Sequence, residues 1–236
     1  MELNGRVAVV TGGSTGIGRA IATRLAGEGC RVAVCARSED TLREAEAAIR
    51  AAGGEALAVA ADVGREDEVA RLRDEVATKL GPASILVNNA GIGVFGSILD
   101  LGTADYDRVF DTNVKGVFLC TRAFAPDMVE AGDGVIVNVA SLAGKNSFAG
   151  GSIYAASKHA VLGMSKCAML DLRSKGVRVL AICPGSVATP FFDGTGHTPD
   201  PEKVLGAEDV AETVLHAVRM SDRGTLSEIE IRPVDP

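Results

Sequence analysis

The feature that most constrains this 236-residue chain is a short apolar run, Val7–Thr11, that ends in Gly12-Gly13-Ser14-Thr15-Gly16-Ile17-Gly18. The run reads as a strand and Ile17–Gly29 as a helix, so the glycines occupy the turn of a strand–turn–helix unit. Gly12 lets the backbone reverse there. Gly16 and Gly18 leave room for a pyrophosphate to approach and for the helix to pack tightly on the strand. The free N–H groups and positive dipole end of that helix favour an anion. With Ser14, Thr15 and Ile17, these glycines form the phosphate end of a predicted dinucleotide site.

The pattern continues along the whole chain. Strands are expected at Arg31–Ala36, Glu55–Ala61, Ile85–Asn88, Gly134–Ala140, Val177–Cys183 and Leu226–Ile231. Helices are expected at Glu39–Ala52, Glu66–Leu80, Ala104–Val129, Ser152–Lys175 and Glu208–Met220. Tryptophan is absent and aromatic residues make up only 4%, so the core must come from Ala, Val, Leu and Ile, as in buried parallel strands. The expected architecture over residues 1–236 is therefore one α/β domain: a Rossmann-type, doubly wound parallel sheet of about seven strands, with helices on both faces. Ligands would bind at the carboxyl ends of the strands, where strand order reverses.

Charge and composition exclude several function classes. A net charge of −7 argues against nucleic acid as a partner. The five cysteines show no metal-ligand spacing, and no metal site is expected. No apolar stretch approaches the roughly 20 residues needed to span a bilayer, and the first residues lack a leader pattern, so a cytoplasmic, membrane-free protein is expected. The Ser152–Lys175 helix is apolar on nearly every face. One sheet can cover only one side of it, which predicts a homodimer or homotetramer assembled through the long helices.

The second strand decides which dinucleotide is expected. It ends in Ala36-Arg37-Ser38, where an NAD site would carry an acid for the ribose 2′-hydroxyl. The Arg37 guanidinium suits a 2′-phosphate, with Ser38 as a further donor, so NADP(H) is preferred while NAD(H) remains possible. Asp62 and Val63, after the third strand, are candidates to grip the adenine. In the middle of the chain, Tyr154 and Lys158 stand one helical turn apart, with Ser141 just past a strand. A phenol can deliver a proton to a carbonyl oxygen only if its phenolate is accessible, and a neighbouring ammonium stabilises that phenolate. The Ser141 hydroxyl can hold the substrate oxygen against the phenol.

Taken in order, Thr11-Gly12-x-x-x-Gly16-x-Gly18, Asp62, Asn88-Asn89-Ala90-Gly91, Asn113, Ser141, Tyr154-x-x-x-Lys158 and Pro184-Gly185 resemble the short-chain dehydrogenase/reductase family over essentially the full length. That resemblance implies a catalytic tetrad of Asn113, Ser141, Tyr154 and Lys158. In it, Asn113 holds a helix kink and a water on the relay from Lys158. It also implies that Lys158 and Tyr154 contact the nicotinamide ribose, and that Asn89, Ala90 and Gly91 line the adenosine side. Pro184, Gly185, Val187 and Thr189 would border the nicotinamide. Two departures stand out. Thr15 occupies a position where many NADP-preferring relatives have a basic residue. The C-terminal Glu228-Ile229-Glu230-Ile231-Arg232-Pro233 lacks the glycine-rich ending of the acyl-carrier-protein ketoreductase branch.

Val94, Phe95, Phe148, Phe191 and Phe192, with Ser141, are the candidate substrate contacts, and their character predicts a hydrophobic carbonyl compound. Residues 188–204 are expected to form a short lid. Lys145 reads as a solvated loop lysine with a lesser claim to an acidic substrate. The expected activity is interconversion of a secondary alcohol and a ketone or aldehyde. A non-catalytic dinucleotide-binding redox sensor, and an epimerase or dehydratase using transient hydride transfer, are the alternatives.

Overall fold

The computed structural model describes residues 1–193, 200–221 and 223–234, and among them seven strands are connected by seven α-helices, one after each of the first six strands except β4, which is followed by two. The strands are β1 (Val7–Thr11), β2 (Arg31–Ala36), β3 (Glu55–Ala60), β4 (Ile85–Asn88), β5 (Gly134–Val139), β6 (Val177–Pro184) and β7 (Glu228–Ile231). The helices are α1 (Gly16–Gly27), α2 (Glu39–Ala51), α3 (Glu66–Lys79), α4 (Thr103–Phe110), α5 (Gly116–Ala131), α6 (Ser152–Leu172) and α7 (Ala207–Arg219). The seven strands form one sheet in the order β3-β2-β1-β4-β5-β6-β7, and every pairing is parallel. This is the expected doubly wound architecture, with strand order reversing between β1 and β4.

Valine, alanine, leucine and isoleucine supply both cores. One face of the sheet is covered by α1, α2 and α7, through residues such as Ile21, Leu42 and Val214. The other is covered by α3 and α5, through Leu72 and Phe124. α6 packs beside them over β6, where Val161 and Leu162 meet Ala181 and Cys183. β1, β4 and β5 are buried along their whole length, which explains their largely apolar sequences.

Three departures from the expected elements have identifiable reasons. The helix expected over Ala104–Val129 is divided by a π-helical turn at Asp111–Lys115, which interrupts the α-helical ladder at Asn113. The last strand starts at Glu228 rather than Leu226, because its register with β6 begins at the Ala181–Glu228 pair. α6 ends at Leu172 and passes into a short 3₁₀ turn. Along α6, Ala156, His159, Gly163, Lys166, Cys167 and Leu170 form an exposed stripe opposite the buried face.

The glycine turn is fastened to the end of β4. The Thr11 hydroxyl accepts from the backbone N–H groups of Asn89 and Ala90, each at 3.0 Å. The Asn89 amide donates back to the Thr11 and Gly12 carbonyls at 2.9 and 3.1 Å. Gly12 has a φ of +61°, and a Cβ on Gly18 would collide with the Gly12 carbonyl oxygen and the Asn89 amide. We therefore expect Gly18→Ala to destabilise the protein by roughly 1–3 kcal/mol through overpacking. A urea unfolding curve with an unchanged midpoint would show that this approach is not so tight.

Candidate active site

A cleft of about 1090 Å³ runs across the carboxyl ends of β1, β4, β5 and β6. One end is lined by Gly12, Ser14, Thr15, Gly16 and Ile17 of the turn, with Gly18 packed beneath it. No side chain caps the start of α1, so its first N–H groups lie uncapped beside the cleft. Opposite the turn, Thr189 comes within 3.2 Å of where a Cβ on Gly16 would stand. Pro184, Gly185 and Val187 line the same wall.

Arg37 follows β2 at the rim of the cleft. It is exposed and makes no hydrogen bond or ion pair among the described residues. Ser38, Asp62 and Val63 stand beside the cleft rather than in its lining. Ser38 precedes α2 and makes no side-chain cap. Asp62 Oδ1 accepts from the Gly64 N–H at 2.9 Å, which leaves its other oxygen available. Val63 is buried against Gly116.

The other end of the cleft holds the titratable groups. Tyr154 and Lys158 lie on the first turns of α6 and are only 9% and 5% exposed. The Lys158 ammonium donates to the Val139 carbonyl at 3.0 Å and lies 5.8 Å from the centre of the Tyr154 ring. Burial pushes the Tyr154 phenol up to about 12, and a hydrogen bond with the Ser141 side chain acts in the opposite direction. Burial lowers Lys158 to about 8, with Cys183 opposing the fall. Ser141 sits at the end of β5 on the lip of a 3₁₀ turn, Leu142–Gly144, and its hydroxyl accepts from the Ala143 N–H at 3.1 Å.

Asn113 is buried within the π-helical turn and is bonded on both sides of its amide. Its oxygen accepts from the Ile92 N–H at 2.8 Å, and its nitrogen donates to the Ile92 carbonyl at 2.9 Å and to the Ser157 hydroxyl at 3.0 Å. Ser157 in turn donates to the Tyr154 carbonyl at 2.7 Å, so Asn113 ties the strand after β4 to the helix carrying Tyr154. Gly91 fits between them. A Cβ there would stand 3.3 Å from Asn113 Oδ1 and 3.5 Å from Lys158 Nζ.

Val94, Phe95, Phe148, Phe191 and Phe192 all line the cleft. Phe95 and Phe191 flank the Tyr154 ring at centroid distances of 5.4 and 5.6 Å, and Phe148 lies 6.0 Å from Phe95. Of the expected lid, residues 188–193 and 200–204 are described, while 194–199, including His197, lie outside the described residues. Its base is closed by a bridge between Val187 and Leu205.

Sequence reasoning missed several residues. Ile92, Leu142, Asn146 and Arg108 line the cleft, yet their types carry no chemical signature. Ile92 acts through its backbone, and only its place after Gly91 could have drawn attention to it. Lys145 was expected to be solvated, but its ammonium pairs with Glu228 and Glu230 of β7, and so it does not point to an acidic substrate.

The residues present suit a dinucleotide. The glycine turn leaves a cradle that side chains would fill, α1 begins without a side-chain cap, and Arg37, a cation without a partner among the described residues, stands in the cleft lining. The short chain dehydrogenase family model matches residues 6–200. A putative ketoacyl reductase of Streptomyces coelicolor is 43% identical over 187 residues, 78% of this chain and 72% of that protein. A glycine betaine reductase of Emericella nidulans is 35% identical over 99% of this chain, which spans only 19% of that protein's length. The crystal structure of a metagenomic short-chain oxidoreductase in complex with NADP shares 39% identity and a TM-score of 0.88, covering 99% of each chain. The fold, the ordered site residues and these likenesses agree: the chain belongs to the short-chain dehydrogenase/reductase family of oxidoreductases.

Proposed function

We propose that this protein is an NADP-preferring oxidoreductase that interconverts a secondary alcohol and a ketone or aldehyde. The observation that carries this reading is the meeting of Ser141, Tyr154 and Lys158 at one end of a cleft whose other end is a glycine cradle. When bound, the reduced dinucleotide supplies a hydride to the carbonyl carbon. Ser141 holds the carbonyl oxygen by hydrogen bonding, and Tyr154 delivers its phenolic proton to that oxygen as the alcohol forms. The buried ammonium of Lys158 stabilises the phenolate left behind. Asn113 keeps α6 and the Ile92 backbone in register, so the relay that reprotonates Tyr154 through Lys158 and water has a fixed geometry.

Arg37 supports the choice of NADP, because a guanidinium without a partner among the described residues can meet a 2′-phosphate with paired donors. The metagenomic relative solved with NADP supports the same choice. Thr15 supplies no second cation, so NAD(H) remains usable. The phenylalanines around Tyr154 support a hydrophobic carbonyl substrate. Five free cysteines, four of them buried, fit a reducing cytoplasm. No helix among the described residues is long and apolar enough to cross a membrane. Self-association through α5 and α6 is supported by exposed Phe118 and Leu170, at 50% and 54%, on adjoining helices.

Three outcomes test this reading, the first by turnover of a panel of alkyl and aryl ketones and aldehydes followed by loss of NADPH absorbance. Tyr154→Phe removes the proton donor and lowers kcat by at least about 10²–10⁴-fold, while NADPH binding stays nearly unchanged. Turnover like that of the native protein would overturn the assignment. Arg37→Ala weakens NADPH binding by roughly tenfold or more in a fluorescence titration and leaves NADH binding almost untouched. Equal losses would mean that Arg37 does not read the 2′-phosphate. Gly163 faces outward with nothing within 4 Å of a Cβ, so Gly163→Arg is accommodated by the monomer but blocks helix-to-helix docking. Light scattering should then show a smaller species, and an unchanged mass would rule out α6 as the interface.

A further inference from the structure

The turn that carries Ser141 is held on two sides. On the inner side, Gly144 lies against α6, where a Cβ would stand 2.9 Å from the Lys158 carbonyl oxygen. The turn closes on itself through Gly144 N–H to the Ser141 carbonyl at 2.9 Å and Lys145 N–H to the Leu142 carbonyl at 3.0 Å. On the outer side, the next residue, Lys145, sends its ammonium to the carboxylates of both Glu228 and Glu230. These two residues are spaced by two along β7 and so project from the same face of the strand. Glu228 also meets Lys166 of α6 at 3.4 Å, and Glu230 also meets Arg232 at 2.7 Å.

β7 has a second attachment to the site. The Ile231 carbonyl accepts from the Gly185 N–H at 2.8 Å, and Leu142 lies 3.4 Å from where a Cβ on Gly185 would stand. A four-residue edge strand thus fastens both the Ser141 turn and the loop that borders the cofactor end. The pair is not a freely solvated one. The Lys145 and Glu228 side chains are 33% and 19% exposed, and one ammonium shared by two carboxylates forms a network rather than an isolated surface pair. Hydrogen bonds to Glu228 and Glu230 push the Lys145 ammonium up, and the Lys145 bond holds the Glu228 carboxyl down, so both stay charged at neutral pH.

We propose that Lys145 is a positioning residue: pinned by Glu228 and Glu230, it fixes the Leu142–Gly144 turn and thereby holds the Ser141 hydroxyl against the Tyr154 phenol. It touches neither substrate nor cofactor. Its effect falls on the alignment of the carbonyl oxygen in the transition state, which is sensitive to displacements of an ångström or less. This inference rests on the catalytic role of Ser141 given above.

The test compares Lys145→Met, Lys145→Arg, Glu228→Gln and Ser141→Ala, using NADPH and the fastest-reduced aryl ketone of the panel. Lys145→Met should lower kcat by roughly ten- to a hundredfold, with substrate KM and NADPH Kd changed by no more than about twofold. The isotope effect on kcat with 4-deuterated NADPH should rise as the chemical step becomes slower. Lys145→Arg keeps the charge and should recover most of the loss, and Glu228→Gln should fall between the two. If Lys145→Met keeps its kcat while Ser141→Ala loses it, the positioning role is wrong and the catalytic reading stands. If Ser141→Ala keeps its kcat, the catalytic reading itself fails. Weakened NADPH binding in Lys145→Met without rescue by arginine would reduce Lys145 to a general structural role and overturn the proposal.

Discussion

The closeness of β1 to β4 is the constraint on which the rest of the molecule depends. Strand order reverses there, so the helices after β1 and β4 leave on opposite faces of the sheet, and a crevice opens between them. The exchange of hydrogen bonds between Thr11 and Asn89 keeps the two strand ends from separating. It is made possible by glycine: Gly18 lets α1 press directly onto the Gly12 carbonyl and the Asn89 amide. Further along the β4 segment, Ile92 offers both of its backbone groups to Asn113, and Asn113 reaches Ser157 on α6. A continuous set of bonds therefore links the glycine turn to the helix that carries Tyr154 and Lys158.

That rigidity supports an electrostatically costly arrangement. Burial raises the Tyr154 phenol and lowers the Lys158 ammonium, so both groups are pushed toward their neutral forms. For Lys158 the sign is clear. Its folded value of about 8 lies below the ordinary lysine value of 10.5, so its burial costs stability below about pH 8, and the cost disappears as pH rises past the unfolded value. Within this pair, each group's charged form would relieve the other. A phenolate beside an ammonium is favoured over either ion alone in an apolar setting; under the proposed mechanism, that is the state Tyr154 reaches on giving up its proton.

The residues that were legible in the sequence share one property: their chemistry is tied to a local pattern. The glycine turn, the helical spacing of Tyr154 and Lys158, Ser141 after a strand, and Arg37 where an acid would favour NAD all lie within short windows whose geometry follows from helix and strand periods. The residues that were not legible depend on partners far away in the chain. Lys145 reads as a solvated lysine because nothing near it is acidic; Glu228 and Glu230 reach it only because β7 docks beside β6. Ile92 works through its backbone, which no side-chain pattern reveals. The division of the long helix at Asp111–Lys115 was legible only through the family resemblance, which implied a kink held by Asn113; the residues by themselves suit an ordinary α-helix, and the interruption coincides with the bonds Asn113 makes to Ile92.

By itself, the sequence determined the alternation of strands and helices, the parallel sheet, the glycine turn after β1 and the spacing that puts Tyr154 and Lys158 on one helix face, because each follows from residue type and short-range periodicity. Tertiary structure alone decided which groups meet. It set Phe95 and Phe191 against the Tyr154 ring, Asn113 against Ile92, and Lys145 against β7. The reason is physical: a local pattern fixes the direction in which a side chain leaves its own element. Contacts between elements depend on strand order and register, and these emerge only when the whole sheet has closed around its two cores.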